Sequence, residues 1–285
     1  MKIIDAHMHF SNIESFKRTA EELSFIDYSS KGILKEYDEN GVVYGIGMGL
    51  TEGEEGGFPD VNSINPMCLD LEKNPDNVLT CIGINPVVLD TENEEIKEQE
   101  LKRIEEALKE KNVVGIKIYA GYYHYHVWDE VYTPVYKLAE KYKLPVVIHS
   151  GDTYSERGLL KYSKPLEVDE LALKFRWVNF IIAHFGDPWV METAEIISKN
   201  SNVYADISGL IVGNEAKVQK FMNEKLFMEH FKRAFVYADN YKKILFGTDW
   251  PLVRVKPYIE FVKELIPEEH WEDVFYNNAA KLFNI

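Results

Sequence analysis

The stretch MKIIDAHMHF places Asp5, His7 and His9 two residues apart, at the end of an apolar run. Side chains alternate across a strand, so residues two apart face the same way. His7 and His9 then point together and can chelate one ion. Other apolar runs also end in ionisable groups: Lys117 and Tyr119 in VVGIKIYA, His149 in PVVIHSG, His184 in NFIIAHFG and Asp249 in KILFGTDWP. His149 and Asp249 would join His7 and His9 from elsewhere around the fold. Three imidazoles and one carboxylate suit Zn²⁺, with Mn²⁺ or Fe²⁺ as alternatives, and leave an open position for water. Taken singly, each group has a plainer reading. Paired histidines occur in polar networks, a lone histidine in a core is usually hydrogen-bonded, and an aspartate in FGTDWP can cap a turn. Four such groups at one end of one fold would be a costly way to bury polar atoms without a metal.

Eight short apolar runs carry these groups: 2–10, 42–50, 78–86, 113–120, 145–151, 179–186, 202–209 and 243–251. They are nearly continuous in apolar residues, as in parallel strands covered on both faces. The segments between them suit helices. Residues 94–111 carry Ile96, Leu101, Ile104 and Leu108 on one stripe. Residues 129–143 open with acids and close with lysines, which suits the helix dipole, and Pro134 marks a late helix start. Residues 268–285 read as a terminal helix. Eight β-α repeats predict an α/β fold, a closed (β/α)₈ TIM barrel forming a single domain over 1–285, with an open doubly wound sheet as the competing arrangement. In such a barrel the site lies at the carboxyl ends of the strands. Segment 11–41 fits a short helix or a lid loop. The Gly-rich, acidic TEGEEGGFPD at 51–60 reads as a mobile loop.

The 285 residues hold 32 basic and 47 acidic side chains, a net charge of −15. That balance argues against nucleic acid, whose binding relies on Lys and Arg meeting phosphates, and against anionic membrane. Cys68 and Cys81 form no disulfide framework and no zinc spacing, and both read as buried thiols. The N-terminus lacks the features of a signal peptide, and no apolar stretch is long enough to span a bilayer. The expectation is a cytoplasmic protein whose partner is a small-molecule substrate. A homo-oligomer is left open.

DAHMHF, VVIHSGD, IIAHFGD, FGTDWP and the closing NNAAKLF, in that order along nearly the whole chain, resemble the amidohydrolase superfamily. Within it they are most similar to the amidohydrolase-related family that also contains aminocarboxymuconate-semialdehyde decarboxylase. The resemblance implies a distorted (β/α)₈ barrel and a divalent metal held by His7, His9, His149 and Asp249. It makes His184 either a ligand of a second ion or a free catalytic imidazole. Some relatives carry a strand-four lysine, carboxylated by CO₂, that bridges two metals, and Lys117 in GIKIYAGY resembles it. A protonated Lys117 pairing with an acid or an anionic substrate is the alternative.

The expected activity is that of a metal-dependent hydrolase cleaving an amide, lactone or ester bond of a small molecule through a metal-activated water. Asp249 would accept the proton and return it to the leaving group, and His184 or the metal would polarise the carbonyl. The alternative is a non-oxidative decarboxylase that anchors a small carboxylic acid on the metal. A non-catalytic metal-binding protein is disfavoured, because proton-transfer groups accompany the ligands. Tyr119, Tyr122, Tyr123, His124, His126 and Trp128 can clamp a flat substrate, or pack their loop onto the barrel. Arg254 can grip a carboxylate. Asp5, Asp152 and Asp187 can orient the neighbouring histidines, or cap turns and helices. His230 and His270 read as solvent-facing.

Overall fold

The computed structural model describes residues 1–10, 14–49 and 75–285. The chain runs β1 (Ile3–Met8), α1 (Glu14–Thr19), α2 (Ser30–Asn40), β2 (Val42–Met48), β3 (Val78–Gly83), α3 (Pro86–Leu89), α4 (Glu94–Ala107) and β4 (Val113–Ile118). It continues with α5 (Thr133–Tyr142), β5 (Val146–Ile148), α6 (Glu167–Lys174), β6 (Phe180–Ile182), α7 (Val190–Lys199) and β7 (Val203–Asp206). It ends with α8 (Glu215–Met222), α9 (Lys225–Ala238), β8 (Ile244–Leu245), α10 (Val255–Leu265) and α11 (Asn278–Phe283). The eight strands are parallel and lie in sequence order, one per predicted apolar run. β8 is short, and the ring closes beyond its end. Ala6 N–H donates to the Phe246 carbonyl at 2.9 Å, His9 N–H donates to the Trp250 carbonyl at 2.6 Å, and Met8 bridges Trp250.

Two apolar layers follow from this closure. Ile4, Ala6, Ile46, Met48, Cys81 and Val147 pack inside the ring, where Leu282 and Phe283 of α11 join them. The opposite strand faces, with residues such as Ile3, Met8, Ile116 and Ile148, pack in the larger outer layer with the helices. β1 changes parity between these layers. Ile4 and Ala6 belong inside and Met8 outside, because the pairing with β2 slips between Asp5 and Met8. A bulge of this kind re-aims side chains. Here it turns His7 and His9 to the interior, which strict alternation from Ile4 would not do. Asp5 faces out and accepts from the Tyr37 hydroxyl of α2.

The helices start where local chemistry allows. Ser29 caps α2 by accepting from Gly32 N–H, and Asn93 caps α4 by accepting from Glu95 and Ile96 N–H. Pro134 sits in the first turn of α5, as expected from its missing donor. In α4, Ile104 and Leu108 are buried and Leu101 partly so, but Ile96, one turn from the start, is left exposed. Segment 11–41 holds helices α1 and α2 in its described part. The C-terminal segment is not one regular helix: a π turn over Asp273–Asn277 precedes α11. The Val274 carbonyl there accepts from Phe246 N–H at 2.9 Å, tying the helix to the closing strand. Cys81 is buried, whereas Cys68 and the 51–60 stretch lie outside the described residues.

Candidate active site

The carboxyl ends of β1, β4, β5, β6, β7 and β8 converge on a cavity of about 310 Å³, lined among others by His9, Lys117, His149, His184 and Asp249. His7 is fully buried at its floor. The predicted ligands of β1 and β8 meet directly. His9 Nε2 lies 3.0 Å and His7 Nε2 3.6 Å from Asp249 Oδ1. His184 reaches the other carboxylate oxygen at 4.0 Å. Neighbouring ring centroids are 4.8 Å apart for His7 and His184 and 5.3 Å for His149 and His184. Asp249 and His184 adopt left-handed backbone angles, with φ of 62° and 57°. Such angles cost a non-glycine residue roughly 1 kcal/mol. Asp249 N–H is held by the His7 carbonyl at 2.8 Å and His184 N–H by Asp206 Oδ1 at 3.1 Å. Gly209, at φ 67°, fits where a Cβ would come within 2.8 Å of both Asp249 Oδ2 and His184 Nδ1.

Hydrogen bonds fix which nitrogen of each ring is free. His149 Nδ1 is 2.8 Å from the Ala120 carbonyl, and His184 Nδ1 is 3.1 Å from the Ser208 carbonyl. His7 Nδ1 is 2.9 Å from Asp206 Oδ2. Carbonyl and carboxylate oxygens only accept, so all three Nδ1 atoms carry the proton. The three Nε2 atoms are lone-pair donors. His7 Nε2 meets the Lys117 ammonium at 3.3 Å, a group that can only donate. Asp249 Oδ1 and His9 Nδ1 are buried without an aligned hydrogen-bond partner among the described residues. Converging lone pairs and an unsatisfied buried carboxylate oxygen are what a cation would satisfy. The donor set His7, His9 and Asp249 fits a divalent ion, and His7, His184 and Asp206 form a second group of converging donors.

Charge follows burial. His7, His9 and His149 are all pushed below the usual histidine value by desolvation, and His184 is lowered to about 4 by the same cause. Burial alone would raise Asp249, but the His184, His9 and His7 imidazoles outweigh it and hold the carboxyl well below its usual range. Lys117 is fully buried, with no carboxylate of the described residues paired to it, and burial lowers it to about 8. At neutral pH His184 and Asp249 are therefore bases.

The substrate side divides the predicted aromatic loop. Tyr119 and Tyr122 line the cavity, and Tyr123 is buried with them against Phe16 and Leu252. His124 bonds the Arg157 carbonyl, while His126 pairs with Glu167 at 2.7 Å and stacks on Trp128, away from the cavity lining. Arg254 is not in the lining; its guanidinium donates to the Phe25 carbonyl at the start of α10. Asp5 binds Thr248 N–H at 2.9 Å and Thr248 Oγ1 at 2.6 Å, so it braces β1 against the β8 loop rather than orienting an imidazole. Asp152 and Asp187 line the cavity without touching the rings of His149 or His184. Asp152 accepts from Thr153 N–H, and Asp187 accepts from His230 at 3.0 Å. His230 is thus half-buried against Asp187, and His270 stacks on Tyr241.

Asp206, Ser208 and Lys217 were not singled out from the sequence. Asp206 ends β7 in NVYADISG, so the rule that flagged the other strand ends also points to it. Ser208 and Lys217 carry no such signal, since a serine or a lysine in a loop is ordinary.

A parallel β/α barrel with imidazoles and carboxylates gathered at its strand ends is the framework of a metal-centre enzyme family, and the whole-chain comparison agrees. The chain belongs to the amidohydrolase family, whose model matches residues 4–285. No curated protein matches the sequence. Among solved structures, an uncharacterised TIM-barrel protein from Bordetella bronchiseptica superposes with a TM-score of 0.72 at 18% identity, covering 100% of this chain and 99% of the other. A probable 2-pyrone-4,6-dicarboxylic acid hydrolase from Acinetobacter baumannii, with citric acid bound, gives 0.63 at 16% identity and 100% of both chains. A manganese-bound 5-carboxyvanillate decarboxylase from Novosphingobium aromaticivorans gives 0.63 at 12% identity, with 100% and 96% covered. These likenesses establish the barrel fold.

Proposed function

We propose that the protein is a hydrolase of a small, partly flat molecule, cleaving a lactone, ester or amide bond at a single divalent metal held by His7, His9, His149 and Asp249. The observation that carries the reading is the protonation pattern. His184 Nδ1 donates its proton to the Ser208 carbonyl and Asp249 Oδ1 has no aligned partner among the described residues, so each side chain offers a lone pair rather than a proton to the cavity. Water attack needs a base first; protonation of a carbon that loses CO₂ needs an acid first. The charge pattern supports the same choice. No arginine of the described residues lines the cavity, and 11–13 and 50–74 contain none.

A divalent ion there would supply Lewis acidity, making a water more acidic and polarising a carbonyl. The chain's own residues do the rest. Asp249, beside the ligand imidazoles, accepts a proton at its free carboxylate oxygen and returns it to the leaving group. His184 Nε2 accepts a hydrogen bond from the nucleophile or leaving group across the cavity. Tyr119, Tyr122, Phe16 and Leu252 wall off bulk water and hold a planar substrate edge.

The second reading is a non-oxidative decarboxylase. It is supported by the fold likeness to a carboxylate-processing enzyme, and by Lys117 and Lys217 in the cavity lining, which can seat a carboxylate. Turnover in H₂¹⁸O with Zn²⁺ or Mn²⁺ separates the two across a panel of lactones, esters, amides and aromatic acids. Hydrolysis places ¹⁸O in the product and releases no CO₂. CO₂ from an aromatic acid, with every bond-cleavage substrate untouched, would overturn the hydrolase reading.

A further inference from the structure

The end of β7 carries a hydrogen-bonded chain that the scheme above does not use. Asp206 is fully buried, and its two oxygens serve two different histidines. Oδ2 accepts from His7 Nδ1 at 2.9 Å. Oδ1 accepts from Ser208 Oγ at 2.5 Å, from Ser208 N–H at 3.1 Å and from His184 N–H at 3.1 Å. Ser208 Oγ stands 2.9 Å from His184 Nδ1. A hydroxyl has one proton; with that proton given to Asp206, its oxygen accepts from His184. Every bond therefore runs inward, from the two imidazoles to one carboxylate.

We propose that Asp206 is a positioning residue that sets the tautomer of His7 directly, and supports that of His184 through Ser208, so that both rings offer Nε2 lone pairs to the cavity. The Lys117 ammonium donating to His7 Nε2 agrees with this arrangement. Only the consequence for metal affinity rests on the proposed function; the tautomers belong to the metal-free protein.

The carboxylate is needed because it only accepts. An amide in its place has one accepting oxygen and one NH₂ group. Three donors surround the Oδ1 position, so the amide oxygen belongs there. The NH₂ then faces His7 Nδ1, which must accept instead of donate. The His7 proton moves to Nε2 and removes the lone pair that an ion requires.

The test uses the full chain labelled with ¹⁵N-histidine and treated with chelator, read by long-range ¹H–¹⁵N correlation, with His7→Gln and His184→Gln assigning the signals. Wild type is expected to carry the proton on Nδ1 of both rings. Asp206→Asn is expected to move the His7 proton to Nε2 and to weaken Zn²⁺ binding, measured against a chromophoric chelator, by about 10–100-fold. Ser208→Ala leaves the His7 tautomer and Zn²⁺ affinity unchanged. His7 protonated at Nε2 in the wild type overturns the proposal without any variant having to fold. So does an Asp206→Asn protein that keeps the Nδ1 proton and wild-type Zn²⁺ affinity. If wild type shows the expected tautomers but binds no Zn²⁺, the tautomer assignment stands and the metal reading fails.

Discussion

Lys117 is a buried cation with no carboxylate of the described residues paired to it, and replacing it with an apolar side chain of similar size should stabilise the metal-free protein. Its ammonium lies 3.3 Å from the His7 Nε2 lone pair. Burial lowers its pKa from 10.5 to about 8. The sign follows from proton counting. Between these values the unfolded chain holds the proton and the folded chain does not, so stability rises with pH across the window. Below the folded pKa the full penalty is present. The shift corresponds to about 3 kcal/mol at pH 7, falling to about 1 kcal/mol at pH 9.5. Lys117→Met shortens the side chain by one atom, keeps it unbranched and removes the charge. Urea unfolding of both proteins in EDTA should show the variant more stable by about 3 kcal/mol at pH 7, with the gap shrinking to about 1 kcal/mol at pH 9.5. A variant less stable at pH 7, or a gap constant between the two pH values, would falsify the picture of a buried ammonium whose desolvation outweighs the attraction of Asp206 and Asp249.

Intact mass of the native protein should match the unmodified chain, with no CO₂ adduct on Lys117; a stable added mass at that lysine would instead point to a bridged two-metal centre. Titration with Zn²⁺ should saturate at one ion per chain, and His9→Ala or Asp249→Asn should weaken binding by at least about 10-fold, because each removes a donor from a small set; unaltered affinity would displace the ion from this cluster. Gly209→Ala should lower kcat by about 100-fold, since its Cβ presses on Asp249 and His184, while the left-handed φ costs only roughly 1 kcal/mol of folding stability. The acid limb of kcat/KM should fall near pH 4 rather than near the ordinary histidine value, because burial lowers His184 to about 4; a limb at pH 6.5 that survives in His184→Gln would remove this residue from the proton transfer.

The sequence by itself determined the barrel and which strand ends carry the side chains gathered at its cavity. Eight apolar runs gave eight parallel strands because a strand covered on both faces has no polar side to show, and that pattern is local. The strand-end rule found His7, His9, His149, His184, Lys117 and Asp249, since in a closed parallel ring those ends must share one mouth. Tyr119 and Tyr122 were legible for the same reason. Only the tertiary structure decided the rest. It turned His7 and His9 inward through a bulge that depends on β2 pairing, sent Arg254 to the Phe25 carbonyl, and drew Asp187 to His230 instead of His184. It also brought Asp206 to His7 across 199 positions of sequence, and so fixed which ring nitrogen is free. Periodicity reports which face a residue occupies, but the partner of a buried polar group is set by which distant strand the closed ring places beside it.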